Sequence, residues 1–101
     1  MTAHKYALPQ PYGIDQAPED GSVLEVARVW INPANPSIMV RPAYDDPRAM
    51  GKMLAELCWN FAEAYRQRGD HTREQALEAL KAGWTEGHAN GEAKARRGSV
   101  Q

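Results

Sequence analysis

The segment from Asp46 to Gly69 constrains this chain more than any other. Asp46 stands before Pro47, the order of an N-cap followed by the first helical position. The carboxylate can accept an orphan backbone donor, and proline has none to lose. Turned at about 100° per residue, Met50, Met53, Leu54, Leu57, Cys58, Phe61 and Tyr65 fall on one broad stripe. Lys52, Glu56, Asn60, Glu63 and Gln67 fall opposite it. Arg66 and Arg68 suit the negative end of the helix dipole, and Gly69 suits the stop. Such a helix must lay its apolar side on something.

The residues before it suggest what that is. From Ser22 to Asn32 the chain is rich in Val, Trp and Ile, which fit a pleated surface. Glu25 and Arg28 put one charge on each face, so the pattern leaves open which face is buried. Asn32-Pro33-Ala34-Asn35-Pro36 reads as a turn, and a second strand follows over Ser37–Arg41 until Pro42 ends it. The pair predicts an antiparallel β-hairpin, which alone is marginal in water.

After the first helix, Thr72-Arg73-Glu74-Gln75 is a capping-box pattern that opens a second. Ala76, Leu77, Leu80 and Trp84 form its narrower stripe. Gly83, Gly87 and Gly91 then recur, each unfavourable in a helix by about 1 kcal/mol relative to alanine. They predict a helix that frays beyond Trp84. Residues 1–21, with three prolines and two glycines, predict an irregular N-terminal arm. Residues 22–91 are expected to form a single α+β domain and 92–101 a flexible polar tail. The expected fold is α+β: an antiparallel β-hairpin, widened by the arm if that supplies a third strand, covered on one face by two α-helices.

Composition narrows the function. The chain has 101 residues and a net charge of −1, so no strong field steers it toward nucleic acid or anionic lipid. Lys94, Arg96 and Arg97 are the only basic cluster, and a solvated tail explains them better than weak nucleic-acid binding. The start Met-Thr-Ala-His-Lys-Tyr lacks the apolar run of a signal peptide, and no stretch approaches the length of a membrane span. With one cysteine, no intramolecular disulfide can form. The cytoplasm is the expected compartment.

Candidate chemistry is thin. Cys58 lies on the apolar stripe between Leu57 and Trp59, where a small hydrophobe is expected rather than an activated nucleophile. His4, His71 and His88 are scattered and do not form a metal-ligand spacing. Asp45 and Asp46 are adjacent, but Asp46 has a capping role, and Asp45 could pair with Arg41 or Arg48. The reading therefore names no catalytic, cofactor-binding or metal residue and leans away from an enzyme. Trp59 is the outlier, about 150° from the stripe's centre, either packed under the arm or part of a binding surface.

Glu25-Val26-Ala27-Arg28-Val29-Trp30-Ile31, Arg41-Pro42-Ala43-Tyr44-Asp45-Asp46-Pro47 with Gly51, and Ala62-Glu63-Ala64-Tyr65 carry a resemblance. Over about residues 23–84 the chain resembles a family of small uncharacterised bacterial proteins, mostly alphaproteobacterial, classed as a domain of unknown function. The resemblance implies a compact α+β domain and assigns no activity, cofactor or catalytic residue.

The function is thus unknown from sequence. The leading expectation is a non-enzymatic binding or accessory protein acting through a surface that includes Trp30, Arg41, Tyr44 and Trp59. A homodimer formed by pairing sheet edges is compatible with it. The alternatives are a binder of an anionic metabolite, or a cryptic enzyme, with a helix–sheet pocket lined by Trp30, Arg41 and Tyr44. Weak nucleic-acid binding through the basic tail is the third.

Overall fold

The computed structural model describes residues 4–33 and 35–98. Ala34, Met1–Ala3 and the last three residues of the expected tail lie outside the described residues. The fold is α+β, with one two-stranded antiparallel sheet and two α-helices among the described residues. The chain divides into two compact units, Met1–Asp45 and Asp46–Gln101.

In the first unit, β1 (Ala27–Trp30) pairs with β2 (Ser37–Val40), in the register Ala27 opposite Val40 and Trp30 opposite Ser37. The Arg41 N–H donates to the Val26 carbonyl at 2.8 Å and extends the ladder by one bond. The strands are shorter than the β-rich run suggests. At the turn, Asn32 accepts from the Asn35 N–H at 3.0 Å, the local use of asparagine that turns favour.

Register settles which residues share a face. Ala27, Val29, Ile38 and Val40 lie on one side, and Arg28, Trp30, Ser37 and Met39 on the other. The arm adds no strand among the described residues. Its prolines cannot donate to a ladder, and it forms instead a single 3-10 turn over Ile14–Gln16, entered by Gly13 with φ +89°. At Asp20-Gly21-Ser22 the carboxylate accepts from the Ser22 N–H at 3.0 Å and from its hydroxyl at 2.6 Å. Those two bonds hold the Asp20 carboxyl below its ordinary range.

In the second unit, α1 (Pro47–Arg68) starts and stops where its caps specify. Asp46 accepts from the Arg48 N–H at 3.0 Å, and Gly69, at φ +94°, donates its N–H to the Arg66 carbonyl at 3.0 Å. The capping box of α2 (Arg73–Gly98) is closed in both directions. The Gln75 N–H donates to Thr72 Oγ1 at 3.1 Å, and the Thr72 N–H to Gln75 Oε1 at 2.9 Å.

The expected fraying beyond Trp84 does not occur, because α2 continues through all three glycines to Gly98. Between and after the glycines stand good helix formers, among them Glu86, Ala89, Glu92 and Ala93, and Glu92 pairs with Arg96 one turn on. The first seven residues of the expected tail, 92–98, are therefore helical.

The stripe of α1 is less covered than a core stripe should be. Helices α1 and α2 pack together, but the only buried hydrophobes among the described residues are Ala62 and Ala76. Leu54, Leu57 and Phe61 remain 37%, 44% and 51% exposed. Cys58 is half-buried.

Candidate functional site

The two helices meet through small side chains near the turn and separate away from it. Ala62 is completely buried and Ala76 almost so, which allows close backbone approach there. Two turns back along α1, Ala55 is exposed, and Gly51, on the same line as Ala62, has nothing within 4 Å of where a Cβ would stand. On α2 the line through Ala76 and Leu80 continues as Gly83, Gly87 and Gly91, and at each of these an added Cβ would also meet nothing within 4 Å.

The result is an open groove of about 620 Å³. Leu54, Leu57, Phe61 and Tyr65 form one wall, Leu80 and Trp84 the other, and Cys58 and Ala76 also line it. Trp84 is 55% exposed and lies against His88, ring centroids 4.6 Å apart. Tyr65 closes the turn end, edge-on to His71 at 5.9 Å and under the Arg68 guanidinium at 5.4 Å. The groove offers apolar and aromatic surface, not a converging set of acids and bases.

Charge is concentrated beside the turn instead. Glu63 accepts from Arg66 Nε at 3.0 Å, from Gln67 at 3.2 Å and, across the turn, from Arg73 Nη2 at 2.6 Å. These contacts, with Arg66 foremost, hold its carboxyl far below the usual carboxylate range and raise the Arg66 guanidinium in turn. The arrangement is a clasp between helices, with every partner of Glu63 already engaged in holding it. Sequence reading placed Glu63 on the wet face and missed the clasp. The Glu63–Arg66 spacing was a local signal, but nothing local brings Arg73 to the same carboxylate.

The residues expected at a binding surface divide between the units. Trp30, Arg41 and Tyr44 belong to the first and Trp59 to the second. Trp30 is half-buried, with the His4 ring edge-on at 5.0 Å. Tyr44 is 48% exposed. Arg41 lines a shallow depression of about 270 Å³ on the hairpin with Arg28, Glu25 and Met39, to which neither Trp30 nor Tyr44 contributes. Arg28 is engaged by Glu25 at 2.9 Å, while no ion pair among the described residues joins Arg41 to Asp45. Trp59 is 53% exposed.

No helix among the described residues is long and apolar enough to cross a membrane. Fold and groove together define a small α+β protein whose helical pair carries an apolar groove. Over residues 8–90 the chain matches the profile of a family described as a domain of unknown function (DUF5076), and it belongs to that family. A search of curated proteins gave no match. One similar solved structure is described as that of "a putative pyruvate dehydrogenase from the photosynthetic bacterium Rhodopseudomonas palustrus CGA009". It has 26% sequence identity and a TM-score of 0.62, with 84% of this chain and 86% of that chain covered.

Proposed function

We propose that this chain is a cytoplasmic, non-enzymatic binding or accessory protein that acts through an apolar surface. The observation that carries the reading is the groove, where Leu57, Phe61 and Trp84 stand about half exposed side by side. Half-exposed aromatic side chains at the centre of an apolar patch are the composition of interaction hot spots. Trp59 supplies a second exposed ring on the far side of α1.

The name carried by the similar solved structure is that of a dehydrogenase. The likeness supports a shared fold, and the named activity stays with that protein.

The test is affinity capture from the native cell with wild type, Phe61→Ala and Trp59→Ala, each checked for retained helicity. Loss of a specific partner in either folded variant supports the reading and says which side of α1 is used. Identical partner sets for all three proteins would sink it.

A second reading rests on Arg41. Arg41 lines the hairpin depression beside an Arg28 already neutralised by Glu25, which leaves Arg41 as the cation to attract a small carboxylate or phosphate. Titration with inorganic phosphate and with a dicarboxylate, following the Arg41 side-chain resonances, decides it; unmoved resonances at millimolar ligand remove it. The basic stretch near the C-terminus offers less to nucleic acid, since Arg96 is paired with Glu92.

A further inference from the structure

We propose that Asn90-Gly91 is a self-modification site, where the asparagine amide converts to an acid through a cyclic imide at a rate set by local opening of α2. The site involves α2 alone and is independent of the surface-binding reading.

The chemistry selects Asn90 from the chain's asparagines, Asn32, Asn35, Asn60 and Asn90. The Gly91 backbone nitrogen gives up its proton to water and attacks Cγ of Asn90. An N–Cγ bond forms, the bond from Cγ to the amide nitrogen breaks, and that nitrogen takes up a proton and leaves as ammonia. Water then opens the five-membered imide. Attack at the side-chain carbonyl gives an aspartyl residue. Attack at the main-chain carbonyl gives an isoaspartyl residue, whose backbone runs through the side-chain carbons. Glycine suits the attacking position because it has no Cβ to shield its nitrogen. Asn32 and Asn35 precede Pro33 and Pro36, which have no N–H to surrender. Asn60 precedes the bulky Phe61, and its amide is engaged by the Glu56 carbonyl at 2.9 Å.

An intact helix blocks the first step. At Gly91 the N–H belongs to the ladder and points toward the carbonyl four residues back, and helical ψ at Asn90 turns the nitrogen from its line of attack on Cγ. The reaction therefore needs α2 to open at this turn. Its own sequence favours that. Gly83, Gly87 and Gly91, one per turn, each weaken the helix relative to alanine. The Thr85 hydroxyl donates back to the Lys81 carbonyl at 3.1 Å, a contact that slightly loosens the ladder. Helices open and close in about a microsecond, far faster than an imide forms, so conversion reads the equilibrium population of the open state.

The product changes α2 locally. An acid at position 90 stands one turn after Glu86 and one turn before Lys94, with like charge on one side and opposite charge on the other. An isoaspartyl link lengthens the main chain and interrupts the bond pattern that carries α2 on to Gly98. The far end of the helix is then lost, while Ala62 and Ala76 keep the packing near the turn.

The test incubates the full chain at neutral pH, folded and in concentrated guanidinium chloride, and maps peptides by mass for acid at each asparagine. Wild type, Ala93→Gly and Gly91→Ala are compared. In guanidinium, wild type should convert at Asn90 ahead of the other asparagines. Folded wild type should convert there measurably, but at least about tenfold more slowly. Ala93→Gly leaves the reacting pair intact and weakens the turn that must open. It should speed the folded reaction about fivefold, the ratio set by the helix propensities of alanine and glycine, and leave the guanidinium rate unchanged. Gly91→Ala should slow conversion at least about tenfold in both conditions. An added Cβ at Gly91 meets nothing within 4 Å, so that variant keeps its fold.

Four results overturn the proposal. One is a guanidinium sample in which Asn90 has no lead over the other asparagines. Another is a folded protein that shows no conversion while the guanidinium sample converts fully, which would mean this turn is held shut. The third is equal rates in the two conditions, which would remove the gate. The last is an Ala93→Gly protein that converts no faster than wild type when folded.

Discussion

Near the turn of the helical pair, Ala62 and Ala76 are buried and Glu63 reaches across to Arg73; further along, Gly83, Gly87 and Gly91 face space that an added methyl would not fill. The same two helices thus use opposite kinds of residue at their two ends. The closed end is built from small side chains that let backbones approach, held by a charge clasp and two sets of caps. The open end carries large apolar side chains that no neighbour within the pair covers. Amphipathicity alone therefore does not state where a helix finds its cover, because a stripe can be satisfied along one part and left open along another.

The sharpest way to break the comparison is to add bulk at the closed end. Ala62→Leu puts a branched side chain where the exposure is zero, and overpacking of that kind costs about 1–3 kcal/mol. Leu57→Ala, measured in the one-chain species, should cost less than the roughly 2–5 kcal/mol typical of a core leucine, since 44% of Leu57 is already exposed. Denaturant melts of both variants check the order. Should Leu57→Ala prove the more damaging in a one-chain protein, the open end is in fact covered.

Gly69→Ala tests the stop itself. Gly69 holds φ +94°, a conformation that costs other residues about 1–2 kcal/mol, although no neighbour opposes the new methyl. The loss should appear in the melting midpoint of the helical unit, and an unchanged midpoint would mean the turn can relax around it. At the open end the sign reverses. Gly87→Ala should stabilise the one-chain species by about 1 kcal/mol, because the helix gains propensity and the new methyl meets nothing. A destabilisation there at low protein concentration would show that α2 has a close neighbour at Gly87.

Much of the fold was legible because its signals are local. Asp46-Pro47, Gly69 and the Thr72–Gln75 box each act within one turn of helix, and each does in the structure what its chemistry implies. The hairpin was legible for the same reason, its turn being written in asparagine and proline. The burial of the α1 stripe was not legible. Spacing says that Leu54, Leu57 and Phe61 share a side, but whether that side is covered depends on residues distant in sequence. The continuation of α2 was missed by weighing each glycine alone, without the helix formers around them. Of the candidate site, the exposed tryptophan at 59 was visible as an outlier. The groove was visible only as two separate stripes, since nothing in either stripe reports that the helices part.

The smallest effect expected is also the one with the clearest sign. Glu63 is held below the usual carboxylate range by its hydrogen bonds to Arg66 first, then Arg73 and Gln67. A carboxyl depressed in the folded state contributes stability that is fully present above its unfolded pKa, about 4.3, and is lost as pH falls toward the folded value. Wild type should therefore lose thermal stability as pH drops below about 4, partly through this group. Glu63→Gln keeps a hydrogen-bonding oxygen but cannot carry the charge, so its melting midpoint should be lower at neutral pH and converge on wild type in acid. The clasp is partly exposed, with side-chain exposures of 31% for Glu63 and 47% for Arg73, so added salt should narrow the gap at neutral pH. Thermal melts of both proteins from neutral to strongly acid pH, at low and high salt, test it. Parallel curves with a constant offset would show that Glu63 holds the closed end by packing rather than by charge, and the contrast between the two ends would then rest on side-chain size alone.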